Sequence, residues 1–598
     1  MPKIKKRSEV KEFDKWDLSL MYANEKAWDD SFSNVKKQIG KIEKMSDKFS
    51  TKEDIFSCLN FYFSLRQNVH KLHSYARKRF DEDVSNSKSN IRLNSANDLN
   101  DLFQEKTVFI YTSLSGKTDD FLNVILKDKN FKNYIFFIKK IIREKKHLLS
   151  DAEEKILAKL GGVGDYSYNI FGKINNSDFK FPDVKKNGKK IELNHSSFIA
   201  LLQDEDRGLR KDAMQKMFQP YKEFRETLSQ NLFQHIKNNV TFSNIRKYDS
   251  AIGSFSFGDD LKPLVYENLF KEVDKNLHLL QRYYKLRKKI LFYDKLYWHD
   301  LNVSLVKNVN KKISYEKAVD LVLESLKFLG DDYIKASNIA LKKERWVDKY
   351  PNTGKRSGAY SSFDYKIPAY ILMNFNETLD SASTLAHELG HSMHTYFSYS
   401  NNHYSNYSYP IFLAEIASTF NKQALSDYLL KNGDKKTKLY IIDQELKKIR
   451  QTFFKQSMFA EFEKKIYDYV QNGGMLTADF LEKEYYAINK KYYGEGVELD
   501  ELVASEWSRI PHFFYNFYVY KYATGLAISN YFFESVKNGG QKELDNYLNL
   551  LKSGGSDFPA NLLKKSGLDI YNPGYLKVLM KKFESLLDEF EKEVKTIN

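Results

Sequence analysis

The feature that most limits how this chain can fold is its shortage of residues that break regular structure. Only 26 Gly and 10 Pro occur in 598 residues, about 6% of the chain and roughly half the usual combined share. An all-β protein needs many tight turns, and this sequence cannot furnish them. Long helices are the expected architecture. Hydrophobic residues make up 42% of the chain and aromatics 15%, so there is ample material for a packed core and disorder is excluded. At this length several cores, or one multi-lobed body, are expected.

Periodicity carries the helical reading along the chain. From about Glu25 to Leu160 the sequence reads as consecutive amphipathic helices, with Trp28, Phe32, Val35, Ile39 and Ile42 at three- and four-residue spacing. Ile55 to Tyr75 and Leu102 to Leu114 behave alike, and Asp151 to Leu160 carries acids at its start, as a helix N-terminus prefers. Gly161-Gly162-Val163-Gly164 punctuates the first third. Val184 to Ile191 then predicts a short hairpin turning at Asn187-Gly188. These signals divide the chain into an N-terminal helical region, 1–190, and a main region, 191–598. Helices are expected again from Ser196 to Lys349. The Gly- and Pro-containing stretch Pro351 to Pro368 breaks the pattern, and Ala369 to Phe375 predicts a strand, implying one small sheet beside the helices.

Composition also bears on function. The single Cys58 excludes a disulfide framework and any Cys-rich zinc finger, so a metal would have to be held by His and carboxylate. The basic N-terminus has no apolar run after its charges, and no apolar stretch reaches 18 residues; even Tyr134 to Ile138 is soon interrupted by Lys. No membrane association is expected, and a cytoplasmic protein is the default. The formal net charge of +16 invites a nucleic-acid role. However, 16 Arg leave 79 of the 95 basic residues as Lys, spread along the chain and interleaved with acids. Nucleic-acid readers cluster their charge and favour Arg. Nucleic acid is therefore not an expected partner.

The chemistry concentrates after the predicted strand. Ser381 to Phe397 reads as a helix containing His387-Glu388-Leu389-Gly390-His391. Two His four apart on a helix face the same way and can share one zinc ion. Glu388 sits beside the first of them, where it can reach a metal-bound water without being a ligand. A catalytic zinc needs a third protein ligand. His394 is seven residues from His387, about 10 Å along the axis, too far for all three to close on one ion. The metzincin pattern would need a glycine where His394 stands and a histidine where Phe397 stands. A carboxylate remains, and the next acid after Glu388 is Glu415, in a helix opened by Pro410. An acid alone among apolar neighbours is costly to bury without a cation. His394 is left as a residue that orients a ligand or simply packs, and Asp380 or Ser383 as residues that could orient His387.

HELGHSMH followed by FLAEIAS resembles the thimet-oligopeptidase-like zinc metallopeptidases, and the overall pattern resembles their oligoendopeptidase F branch. KWDLSLMY near the start, GKRSGAYSS and RIPHFFYNFYVYKYATG fit that branch, so the resemblance spans nearly the whole chain. It implies a mainly α, zincin-type body with a small sheet beside the active-site helix and two lobes around a deep channel. It also implies one zinc ion on His387, His391 and Glu415, and internal cleavage of short oligopeptides with Glu388 as general base and acid. The branch uses a His and Tyr cluster to hold substrate and stabilise the tetrahedral intermediate. His512, Tyr515, Tyr518 and Tyr522 fall within about 120° of one face at the helical period, with Tyr520 pointing away. His512 and Tyr522 are the catalytic candidates, and Tyr515 and Tyr518 the substrate-binding ones. Gly358, Ala359 and Tyr360 are expected to form an edge strand that pairs with the peptide backbone, and Arg356 to meet either a substrate carboxylate or solvent. Two other readings stand beside this one: a zinc carboxypeptidase of related helical fold, and a non-catalytic helical binding protein. Oligomeric state has no signal in the sequence.

Overall fold

A computed structural model describes residues 4–160, 166–306 and 312–594. The expected glycine break at 161–164 lies outside the described residues. Helices dominate, as the scarcity of Gly and Pro requires, with two small sheets. The periodic segments form helices longer than their apolar stripes: Glu25–Glu43, Lys52–Glu82 and Ser87–Ser115. Each begins at a side-chain cap. Asn24 accepts from the Ala27 N–H, Thr51 from Asp54 and Asn86 from Ser89. Among the described residues no helix is long and apolar enough to cross a membrane.

The chain forms two compact units, each discontinuous in sequence. The first comprises Met1–Lys146, Asn310–Tyr428 and Phe532–Leu568; the second comprises His147–Val309, Leu429–Tyr531 and Asp569–Asn598. The division read at 190/191 falls inside the second unit, within the second strand of the hairpin. That hairpin pairs strands β1 (Val184–Lys186) and β2 (Lys189–Ile191) antiparallel. Asn187 and Gly188 both have positive φ, 51° and 78°, the backbone that an Asn-Gly two-residue turn supplies.

In the first unit the N-terminal helices do not form a separate body. Their core, with Trp28, Leu59, Phe63, Leu72 and Phe103, is continuous with Tyr370, Leu372, Tyr404 and Tyr407. Those last residues flank the predicted site. The sheet here has the order β3-β5-β4, with β3 (Val347–Asp348) parallel and β4 (Tyr360–Ser361) antiparallel to β5 (Ile371–Leu372). The expected strand at 369–375 is thus the two-residue centre of the sheet. Helix was expected to run to Lys349, but the last helical turn ends at Lys343 and β3 follows. Two residues offer no periodicity from which to read a strand.

Buried charge fastens the N-terminal segments to this sheet. Asp348 on β3, 1% exposed, accepts from Arg7 Nη1 (2.8 Å) and from Lys355 Nζ (2.6 Å). Arg7 and the Trp16 indole also donate to Glu82 at the end of the long helix Lys52–Glu82. Lys78 on that helix meets Asp364 at 2.7 Å, both buried. Removing one partner of such a pair strands the other charge in low dielectric, so these pairs fix where the β3–β5 segments lie.

The second unit is built on Arg207–Glu223, Arg225–Ile245, Leu264–Ile290, Lys435–Ile449, Lys455–Gln471, Ala478–Tyr493 and Gly574–Val594. Its charged centre is Asp300, fully buried, with Arg210 at 2.7 Å and Arg207 at 2.8 Å.

Candidate metal centre

The helix carrying the His pair runs Leu379–Asn401 and is capped by Thr378, whose hydroxyl accepts from the Ser381 N–H. With a four-residue spacing, His387 and His391 bring their Nε2 atoms to 3.2 Å. The chain then turns through Asn402–Pro410, where Ser398 Oγ donates to the Tyr407 carbonyl, and returns as the helix Ile411–Asn432. Its first turns place Glu415 Oε2 3.5 Å from His387 Nε2 and 3.7 Å from His391 Nε2. One ligand atom from each residue lies within 4.8 Å of the others. Two imidazoles and a carboxylate converging in this way form a donor set for one divalent ion.

Gly390 explains how the two helices come this close. A Cβ at that position would sit 2.4 Å from the Ala417 carbonyl oxygen and 2.5 Å from Ser418 Cα. The Glu415 helix therefore crosses the His helix at the one residue without a side chain. Orientation is fixed around the donors as well. His391 hydrogen-bonds to the Ala414 backbone, and Ser418 Oγ donates to Glu415 Oε2 at 2.9 Å, contacts that aim ligand atoms before an ion arrives. The Glu415 side chain is 47% exposed. The expectation that it is an acid buried among apolar neighbours is therefore corrected: its convergence on the two imidazoles singles it out, not its desolvation.

Glu388, the next residue after His387 on the same helix, is 6% exposed. Burial first, and the negative charge of Glu415 second, push its carboxyl up to about 8. The Ser361 backbone N–H, donating to it, opposes this. Ser361 ends β4, an edge strand with β5 on one side. The Ser362 N–H donates back to Tyr370 at 2.7 Å, whereas that of Ser361 turns outward to Glu388. The edge strand read at 358–360 thus begins two residues later than expected, at Tyr360. Gly358 precedes it in the left-handed region, φ 84°, with its carbonyl accepting from Asn374 Nδ2 at 2.8 Å. Tyr360 is anchored, its hydroxyl donating to buried Asp81 at 2.9 Å. Asp81 also takes Arg356 Nη1 at 3.1 Å, so Arg356 is engaged in an ion pair.

Three further expectations resolve here. His394 is fully buried and stacked on Tyr409, ring centroids 3.6 Å apart, with no hydrogen-bond partner for either nitrogen among the described residues. Burial, and then the charge of His391, push it down to about 3, so it packs as a neutral ring. Asp380 is exposed in the first helical turn and Ser383 is half-buried. The predicted continuous helix through His512 and Tyr522 is corrected. Pro511–Phe514 is a single 3₁₀ turn, Asn516 and Phe517 adopt positive φ of 53° and 55°, and the helix starts only at Tyr520.

The sequence profile of peptidase family M3 matches residues 200–580, and that of oligopeptidase F matches 117–181. The chain belongs to peptidase family M3. It is 37% identical over 589 residues to oligopeptidase PepF of Bacillus subtilis, covering 98% of this chain and 88% of that protein. It is 36% identical to an oligoendopeptidase F homolog of Borreliella burgdorferi, covering 98% and 99%. Among solved structures, oligoendopeptidase-F from Enterococcus faecium matches with TM-score 0.74 and 29% identity over 95% of this chain and all of that one. A candidate peptidase from Chlamydophila abortus matches with TM-score 0.93 and 34% identity over 99% and 100%.

Within the second unit the family's His and Tyr candidates do cluster despite the broken helix. The His512 ring lies 5.4 Å from Tyr515 and 6.1 Å from Tyr522, and Tyr518 lies 5.2 Å from Tyr522. Tyr520 is 2% exposed and turned inward. Burial lowers the pKa of His512, favouring the neutral ring. The cluster is shaped by groups that sequence reasoning missed. Asn516 Oδ1 accepts from Tyr467 (2.8 Å) and Asn239 (2.8 Å), and the Phe517 N–H donates to Glu463, 1% exposed, at 2.7 Å. The Glu463 bond satisfies a backbone N–H, and the Tyr467 and Asn239 bonds hold the Asn516 side chain, where two non-glycine residues sit at positive φ, an arrangement that costs about 1–3 kcal/mol per residue. No local signal marks Glu463 or Asn239, which lie far away in sequence.

Proposed function

We propose that this protein is a zinc-dependent endopeptidase that cleaves internal bonds of short oligopeptides in the cytoplasm. One observation carries the reading: the convergence of His387, His391 and Glu415 beside Glu388, a carboxylate that stays out of the donor set. When bound, zinc supplies a Lewis acid for the scissile carbonyl and brings the pKa of a water ligand to about 7. Glu388 takes the proton of the attacking water and returns it to the departing amine. Its raised proton affinity without metal suits a group that must hold and then release a proton near neutrality. The Ser361 N–H keeps the carboxylate aimed through this exchange.

The roles of the remaining residues rest on the family resemblance. His512 and Tyr522 donate hydrogen bonds to the oxyanion that develops at the scissile carbon, and Tyr515 and Tyr518 hold the substrate. The Gly358-Ala359-Tyr360 segment binds peptide backbone, a mode that tolerates varied side chains. The test is digestion of fluorogenic peptides blocked at both ends, and of the same peptides with free ends, with and without a zinc chelator. Internal cleavage of the blocked peptides, lost with chelator and in Glu388→Gln, is expected. Cleavage confined to free carboxyl ends would establish a carboxypeptidase instead, and chelator-insensitive or absent cleavage would overturn the proposal.

A further inference from the structure

The second unit contains a cavity of about 290 Å³ whose lining is partly apolar and partly cationic. Phe198, Leu202, Trp298 and Leu301 are its apolar lining and Arg450, Lys455 and Arg509 its cations, with Lys455 5.5 Å over the Trp298 ring and Arg509 5.6 Å over the Phe198 ring. The mouth is at Ile199, which is 62% exposed. The charges of these three cations are not balanced. Glu506, 1% exposed, is the acid that meets them: its Oε1 takes Lys455 at 3.1 Å and Arg509 at 2.9 Å. Its Oε2 is occupied by the Tyr485 hydroxyl at 3.0 Å. Arg450 is left over. It is 3% exposed, donates Nη2 to the Asn302 side-chain oxygen at 2.7 Å and hydrogen-bonds to the Tyr284 side chain, but among the described residues it has no carboxylate within 4 Å. Asp443, the buried acid two turns before it, accepts from Ser304 and the Leu305 N–H instead. His195 on the rim is held towards neutrality by burial and by Arg509.

A buried guanidinium without a counter-charge is expensive, and three cations answered by one carboxylate leave a surplus of two positive charges at the cavity wall. Arg binds carboxylates through its planar fork of donors. We infer that this cavity binds a small organic carboxylate bearing an apolar group, its acid facing Arg450 and its apolar part against Trp298 and Leu202. The site uses no residue of the metal centre and does not depend on the proposed chemistry there.

Isothermal calorimetry on the full chain tests this, with N-acetyl-leucine as the probe and uncharged N-acetyl-leucinamide as its control. The acid is expected to bind saturably and the amide at least about tenfold more weakly. Arg450→Gln should lose the same factor, and Arg450→Lys should recover part of it. Ile199→Trp, which narrows the mouth from an exposed position, should weaken binding without lowering the melting temperature, so the test survives if the Arg450 variants fold poorly. Binding should persist in His387→Ala, which separates this cavity from the metal centre. Several results would each overturn the inference: no saturable binding up to about 10 mM, equal binding of acid and amide, unchanged binding in Ile199→Trp, or loss of binding in His387→Ala.

Discussion

Gly390→Ala should do more damage than its single methyl group suggests. The added Cβ would lie 2.4 Å from the Ala417 oxygen, 2.5 Å from Ser418 Cα and 2.7 Å from the Ala417 carbonyl carbon. All three are backbone atoms, so no rotamer change relieves the clash. Ordinary contact requires the two helices to separate locally by about 1 Å. Glu415 lies two residues before Ala417 on the same helix and must move with it. Metal–ligand distances tolerate only about 0.2 Å, so a shift of this size should weaken metal binding by about 10- to 100-fold. Overpacking should also cost about 1–3 kcal/mol of stability, whereas Gly to Ala in an unobstructed helix gains up to about 1 kcal/mol. Gly525 provides the control: it lies in the helix Tyr520–Asn538 with nothing within 4 Å of its would-be Cβ. Competition with a chromogenic chelator measures zinc affinity, and urea unfolding of the metal-free proteins measures stability. If Gly390→Ala binds zinc like the wild type and is as stable as Gly525→Ala, the helix-crossing argument is wrong.

Further substitutions test other parts of the account. Asp81→Asn loosens the hold on Tyr360 and Arg356, and should lower kcat/KM by about tenfold through the edge strand; zinc affinity, measured by the same chelator competition, should not change. Glu388 has a folded-state pKa raised to about 8 without metal. Its protonation therefore stabilises the metal-free fold fully below about pH 4.5, and that contribution is lost as pH rises towards 8. Metal-free Glu388→Gln should consequently match the wild type at pH 5 and melt at a higher temperature at pH 9. Burial pushes the Asp348 carboxyl up, but Arg7 and Lys355 outweigh it and hold it below the usual range. Asp348→Asn should cost about 3–5 kcal/mol at pH 7 by stranding Lys355. In acid-unfolding curves the gap should close as pH falls below about 4, where the wild-type carboxylate also takes its proton.

What the sequence made legible was local. The spacing of His387 and His391 is a property of any helix, and the Asn187-Gly188 turn is fixed by its own two residues. Glu415 emerged because acids are absent between it and Glu388, although the reason offered, burial, was not the one that operates. What stayed hidden depends on partners distant in sequence. Gly390 looks like an ordinary helix residue until the Ala417 backbone is placed against it. β3 is two residues held by pairing with β5 and by charges on Arg7 and Lys355. The break at Asn516–Phe517 interrupts a sequence with good helical periodicity, where Glu463 takes the Phe517 N–H and Tyr467 and Asn239 hold the Asn516 side chain. The N-terminal helices read as a region of their own, yet Tyr370, Leu372 and Tyr407 complete their core.

The most direct test of the central claim is anomalous diffraction at the zinc edge from crystals of the zinc-loaded protein. The account predicts one strong peak bonded to Nε2 of His387, Nε2 of His391 and a carboxylate oxygen of Glu415, with Glu388 outside bonding distance. A peak elsewhere, or one coordinated by Glu388 in place of Glu415, would contradict it.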